Sequence, residues 1–322
     1  MSENTNEAQK YDVVVVGGGA AGLSAALVLG RSRRRTLVVD AGEPRNAPAA
    51  HMQGYLSRDG MSPAEFLATG RREIAAYGVE WTAGRVTGAV RDGGDADGFV
   101  VTVDDGRRVL ARRLIVTTGL VDEPPAIDGV AERWGREVLH CPYCHGWEVR
   151  DQAFGAIAHP VFGAHQALIV SQWSADVTLF PHTYGPLPEE QSAQVAAAGI
   201  EVVPGEVAGL AVEDDRFTGV RMADGRFVAR DVLFVGTRTT PRDGLLTALG
   251  AETRATPLGP FVAVDETGRT SVPGVWAAGN ATGAHEQVIN AASGGYRAGV
   301  AINMELIMAD LDRKVAALTV AG

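Results

Sequence analysis

The sequence predicts an α/β protein of two Rossmann-like, three-layer domains, the second inserted into the first. Three observations predict it. A strand–glycine turn–helix–strand unit opens the chain. Alternating segments divided by turn clusters follow. A second strand–turn–helix–strand unit then interrupts the first domain before the chain returns to close it. With 322 residues the chain suits two domains of ordinary size, expected at 1–121 with 245–322, and at 122–244.

Asp12–Val16 is a short β-branched run and reads as a strand. The uncharged stretch VVVVGGGAAGLSAALVLG covers 18 residues, just the length of a membrane helix. Its four valines and three consecutive glycines divide it instead into strand, turn and helix. Thr36–Gly42 is the next strand, ending on Asp40. Gly17, Gly19 and Gly22 form G-x-G-x-x-G at the strand-to-helix turn, and Asp40 follows Gly22 by 18 residues. Gly17 permits the tight turn, Gly19 lets a pyrophosphate approach the backbone, and Gly22 lets helix pack on strand. The helix N-terminus faces the phosphates, and Asp40 can accept from ribose hydroxyls. These parts together predict a bound dinucleotide.

From Glu80 to Gly119 the pattern alternates, with turn clusters at DGGDADG and DDGR, and predicts a β-meander followed by a buried strand at Arg113–Thr117. VDEPPAIDGV reads as a linker. FGAIAHPVFGAHQALIVSQWSADVTLF is the second strand–turn–helix–strand unit, and RDVLFVGTRTTP adds another strand and turn. GVWAAGNATG is then a short strand running into a Gly/Asn turn, and residues 285–311 form a long amphipathic helix.

The net charge of −10 and pI of about 5.2 argue against a general nucleic-acid binder, and the run Arg31–Arg35 reads as solvated surface. The polar N-terminus MSENTNEAQK lacks the basic and apolar regions of a signal peptide, so a cytoplasmic protein without a membrane partner is expected.

Both cysteines lie in HCPYCHGW, residues 140–147. Cys-x-x-Cys-His can attach haem, Cys-Pro-Tyr-Cys can be a glutaredoxin-like site, two Cys and two His can hold zinc, and a Cys pair can be a redox disulfide serving another cofactor. A structural disulfide does not suit a cytoplasmic chain. Haem attachment needs export, and neighbouring His–Cys pairs rarely turn four donors inward, so no metal is expected. The motif by itself leaves its chemistry open.

VVVVGGGAAGLSAA, TTG at 117–119, CPYCHGWE and GVWAAGNATG…EQVINAASGG, in that order, resemble the low-molecular-weight thioredoxin reductase family of flavoproteins over nearly the whole chain. The resemblance implies that architecture, with FAD in the first domain. Its pyrophosphate would lie at Gly17, Gly19, Ala21 and Gly22, its adenosine ribose at Asp40, and its flavin side near Arg45 and Asn46. Thr118 and Gly119 follow the strand that would cross under the cofactor. Asn280 stands where the family has a ribitol-binding acid. Gln287 and Val288 match the flavin pyrimidine edge, where a helix N-terminus would stabilise negative charge. The resemblance also implies that Cys141 and Cys144 form a redox disulfide, Cys144 beside the flavin and Cys141 exchanging with substrate. His145 replaces the acid that usually follows the second cysteine and is read as the acid/base; His140 is not assigned that role. A homodimer is likewise implied. A glutaredoxin site, which opens a small domain of its own, does not fit this order of motifs.

The second unit departs from the family. Its turn is IAHPVFGAHQ, where only Gly163 remains and Pro160 and Phe162 add bulk. LFPHTYGP replaces the basic cluster expected for NADPH, and residues 172–190 contain no Lys or Arg. Without NADPH the direction reverses: a small-molecule dithiol reduces Cys141–Cys144, FAD takes the electrons and O2 removes them as H2O2. This pattern is similar to the dithiol oxidases of the gliotoxin and holomycin type, which close disulfides in natural products such as antibiotics. An NADPH- or ferredoxin-dependent disulfide reductase is the alternative, and a non-turnover flavin redox sensor a third reading. Trp147 and the aromatics of HMQGYL could lie near the disulfide, but are expected to serve core packing.

Overall fold

The computed structural model describes residues 9–93 and 98–321. The turn cluster at 92–98 lies partly outside the described residues. The chain divides into two compact units, one comprising residues up to Ala47, Ser62–Val121 and from Pro241 onward, the other Pro48–Met61 and Asp122–Thr240. The second unit therefore ends four residues before the expected boundary and gains Pro48–Met61, which the sequence reading had assigned to the first domain. Gly135 packs against Pro48, and Gln53 Nε2 donates to Glu148 Oε1 at 3.1 Å, which ties that segment to the unit.

In the first unit the strand Lys10–Val16 pairs in parallel with Thr36–Asp40 on one side and Arg108–Val116 on the other. Val13 and Val15 point to a core with Leu23, Ala26 and Leu29 of the helix Ala20–Arg31, and Ile302 and Leu306 of the last helix. Val14 and Val16 point to the opposite core, with Phe99 and Val101 of the meander. Period-two alternation thus supplies both faces of a sheet buried between helices and meander. The last strand of the expected meander and the buried strand are one continuous strand, Arg108–Val116. Its first half pairs antiparallel with Phe99–Val103, and its last three residues pair parallel with Val275–Ala277.

The second unit repeats the plan at smaller scale. Its five-stranded sheet runs, in spatial order, Glu201–Val202, Val177–Phe180, Phe154–Ile157, Val232–Phe234 and Val138–Leu139, and a three-stranded antiparallel meander covers one core. The α/β class and the two-unit architecture expected from the sequence are what the structure has. Part of the expected linker, by contrast, is strand: Leu120–Glu123 is extended, and Glu123 Oε1 accepts from Thr240 at 2.9 Å.

The last helix spans Val288–Ala321, ten residues beyond its expected end. It packs along Ala20–Arg31 because Gly295 has no side chain; a Cβ there would stand 1.9 Å from the Ala21 carbonyl oxygen. Ala21, Ala278 and Ala291 form a small cluster at this crossing.

Candidate active site

In the first unit the glycine turn leaves open space over its backbone. Gly17 has φ +103°, in the left-handed region, and a Cβ there would meet the Thr117 carbonyl oxygen at 2.6 Å. At Gly22 a Cβ would lie 1.9 Å from the Gly17 oxygen, so the first helical turn closes directly on the strand end. Gly19 faces open space, with nothing within 4 Å of an added Cβ, and caps the helix without a side-chain bond. The backbone N–H groups of that turn are thus presented to whatever sits over Gly19. Asp40 is aimed at the same turn, since Gly18 N–H donates to its Oδ1 at 3.1 Å. This set fits the pyrophosphate and ribose of a dinucleotide such as FAD.

Residues distant in sequence close the site. Arg45 Nη1 donates to the Ala284 oxygen at 3.0 Å, and Asn280 Nδ2 to the Gly283 and Ala284 oxygens at 3.0 and 3.2 Å. The Asn280 nitrogen is therefore committed to the chain, and Oδ1 is its remaining polar atom. Gln287 opens the last helix, its carbonyl accepting from Ala291 N–H, with Val288 as first helical residue. Asn46 lies in the turn after Arg45, half-buried. Thr118 Oγ1 donates to the Arg242 oxygen at 2.6 Å, Arg242 N–H donates to the Gly119 oxygen, and Arg242 Nη1 donates to the Glu43 oxygen at 3.0 Å. Sequence reasoning missed Arg242, which ties the Thr118–Gly119 turn to the Glu43–Arg45 loop. No local motif marks it, because its role comes from chain segments more than a hundred residues apart.

In the second unit Cys141 and Cys144 are joined as a disulfide with Cα atoms 5.2 Å apart. Pro142–His145 forms one helical turn: proline at its first position needs no N–H partner, and Cys144 N–H donates to the Cys141 oxygen at 3.2 Å. His145 sits on this turn with Nδ1 buried and without a hydrogen-bond partner among the described residues. Burial holds its pKa below the ordinary histidine value, against the opposing pull of the Cys141 carbonyl and the Glu148 carboxylate. A neutral imidazole beside a disulfide can accept a thiol proton. His140 instead turns Nδ1 to the Val235 oxygen at 3.1 Å, and its own carbonyl accepts from Gln166 Nε2 at 2.5 Å. Trp147 is not core: it is 64% exposed. In the HMQGYL segment Met52 is buried and Leu56 exposed.

The turn of the second unit is closed by its own side chains. His159 Nδ1 accepts from the N–H groups of Val161 and Phe162 at 3.0 and 3.3 Å. Gly163 N–H donates to the His159 oxygen, and Ala164 N–H to Gln191 Oε1 at 3.0 Å. The His159 ring stacks on Phe162 and fills the space over Gly236, where a Cβ would meet it at 2.1 Å. Burial holds the His159 pKa low, consistent with an unprotonated Nδ1 acceptor. The following helix, His165–Val170, has six residues against twelve in the first unit. The N–H groups that would cradle a second pyrophosphate are spent within the protein. The expected obstruction by Pro160 and Phe162 is thus joined by His159 and Gln191, whose acceptors take the N–H groups of the turn.

The family model of the pyridine nucleotide-disulphide oxidoreductases matches residues 11–295. The thioredoxin reductase tcpT of Claviceps purpurea is 33% identical over 319 residues, covering 94% of this chain and 95% of that protein. The thioredoxin reductase sirT of Leptosphaeria maculans is 30% identical, covering 94% and 96%. Among solved structures, that of HlmI superposes with TM-score 0.91 at 47% identity over 97% of each chain, and an oxidoreductase from Agrobacterium tumefaciens with 0.87 at 37% over 93% and 99%. With its disulfide and its dinucleotide cradle in place, the chain is a thioredoxin reductase-like oxidoreductase and belongs to the pyridine nucleotide-disulphide oxidoreductase family.

Proposed function

We propose that this protein is an FAD-dependent dithiol oxidase that closes a disulfide in a small-molecule dithiol, with O2 as acceptor and H2O2 as product. The observation that carries the reading is the pairing of an open dinucleotide turn at Gly17–Gly22 with a second turn whose N–H groups are taken by His159 and Gln191. The substrate's first thiol gives its proton to His145, and its sulfur attacks Cys141 Sγ, breaking the Cys141–Cys144 bond. The second substrate thiolate attacks the sulfur bonded to Cys141, closes the substrate ring and releases Cys141. Two protons and two electrons have then left the substrate, and the protein holds a dithiol. FAD held at Gly17–Gly22 and Asp40 would supply the acceptor for that electron pair and its route to O2. His145 carries the protons, which is why a neutral imidazole suits it.

The relatives are named thioredoxin reductases, which favours the reverse direction; the alternative is a reductase fed by NADPH or ferredoxin. Mixing under anaerobic conditions separates the two. Dithiothreitol is expected to bleach the oxidised flavin, and air to restore it with release of H2O2; NADPH is expected to leave it yellow. Bleaching by NADPH at a catalytic rate would overturn the oxidase reading.

We also propose a homodimer through the last helix. Tyr296, Val300, Met304, Ile307, Leu311 and Leu318 are exposed and recur every three or four residues or multiples of that, so one face carries an apolar stripe along a helix of 34 residues. Sedimentation velocity should show a dimer, and Met304→Glu with Leu311→Glu should convert it to monomer. A monomeric wild type would refute the assignment.

A further inference from the structure

We propose that Trp147, with Tyr143, is the specificity-determining platform of the disulfide site, and that it selects dithiols carried on a flat ring over open-chain ones. The inference rests on the reading that a small dithiol delivers electrons to Cys141–Cys144. Tyr143 lies between the two cysteines and Trp147 three residues after Cys144. Both are large aromatic side chains held in water, 72% and 64% exposed. Exposure of that extent next to a reactive group marks a surface made for a ligand.

Neither ring is loose. The Arg150 guanidinium carbon stands 4.1 Å over the Trp147 ring, and Arg150 Nη1 donates to the Trp147 oxygen at 2.6 Å. One face of the indole is thereby fixed by a cation–π contact and the other is open. Tyr143 meets Trp173 edge-on, centroids 5.7 Å apart and planes at 87°, and Trp173 packs on the core of the unit. Two pre-positioned aromatic faces beside a disulfide bind a planar partner with little ordering cost.

Stacking on Trp147 discriminates by ring shape: a dithiol borne on a flat ring covers the open face of the indole, and an open-chain dithiol does not. In the transfer the two thiols lose two protons and two electrons to form one S–S bond, and the Cys141–Cys144 bond takes up the electrons.

Two probes isolate the ring. Dithiothreitol and 1,2-benzenedimethanethiol both close to six-membered cyclic disulfides, and the second adds a fused benzene ring. Anaerobic flavin bleaching gives kcat/KM for each. Trp147→Ala is expected to lower the ratio of the benzo probe to dithiothreitol by roughly five- to tenfold, mostly through KM, and Trp147→Phe to restore most of it. A ratio unchanged in Trp147→Ala overturns the proposal. Equilibrium dialysis of the oxidised benzo product against the holoenzyme needs no turnover. Weaker binding to Trp147→Ala supports the platform, and equal binding overturns it. If neither dithiol bleaches the wild type, the oxidase reading fails, and the dialysis still decides the role of Trp147.

Discussion

Replacing Cys144 by serine is expected to give a yellow protein that no dithiol bleaches. The proposed dinucleotide cradle, Gly17–Gly22 with Asp40, is in the first unit, so cofactor retention is not expected to depend on the change. The disulfide closes a loop of sequence separation 3, so its loss returns little chain entropy to the unfolded state, and the fold should stand. What disappears is the electron acceptor facing the substrate. Cys141 alone has no S–S bond for a thiolate to break, and a substrate dithiol then has nothing to reduce. Steady O2 uptake with dithiothreitol should fall to the protein-free rate, a loss on the order of a thousandfold or more. Stopped-flow bleaching under argon, compared with wild type, reads the same step without O2. Bleaching of Cys144→Ser at the wild-type rate would mean that thiols reach the flavin directly, and the assignment of the disulfide as the entry point would be abandoned.

The parts of the fold that could be read from sequence are those fixed by local rules. Val13–Val16, Gly17–Gly22 and Asp40 announce strand, turn, helix and strand because periodicity and glycine geometry act over a few residues. The missing basic residues at 172–190 were legible for the same reason. What stayed hidden depends on contacts between distant segments. Arg242 reaches back to Glu43 and receives the Thr118 hydroxyl across 124 positions. Gln191 closes a turn 27 residues upstream. Pro48–Met61 joins the second unit through Gln53 and Pro48, which no composition shift marks. Trp147 misled because an aromatic residue is more often buried, and only the structure shows Arg150 holding it at the surface.

The acid side of the pH profile should belong to His145. As the proposed acceptor of the substrate thiol's proton, it would work only while neutral, so falling pH would protonate it and remove the acceptor. Burial disfavours the imidazolium, which places its pKa below the ordinary value of about 6.5. The dithiol half-reaction, followed as anaerobic flavin bleaching, should therefore have the midpoint of its acid limb below pH 6.5. His145→Gln keeps the size and polarity of the side chain but cannot accept a proton, and is expected to slow the half-reaction by about a hundredfold and to abolish that acid limb. Glu148 supplies a test that a merely structural histidine would fail. Its carboxylate favours the imidazolium, so Glu148→Gln, which can still accept from Gln53, should move the limb to still lower pH while the flavin stays bound. An acid limb unchanged in both variants would assign the proton transfer to another group.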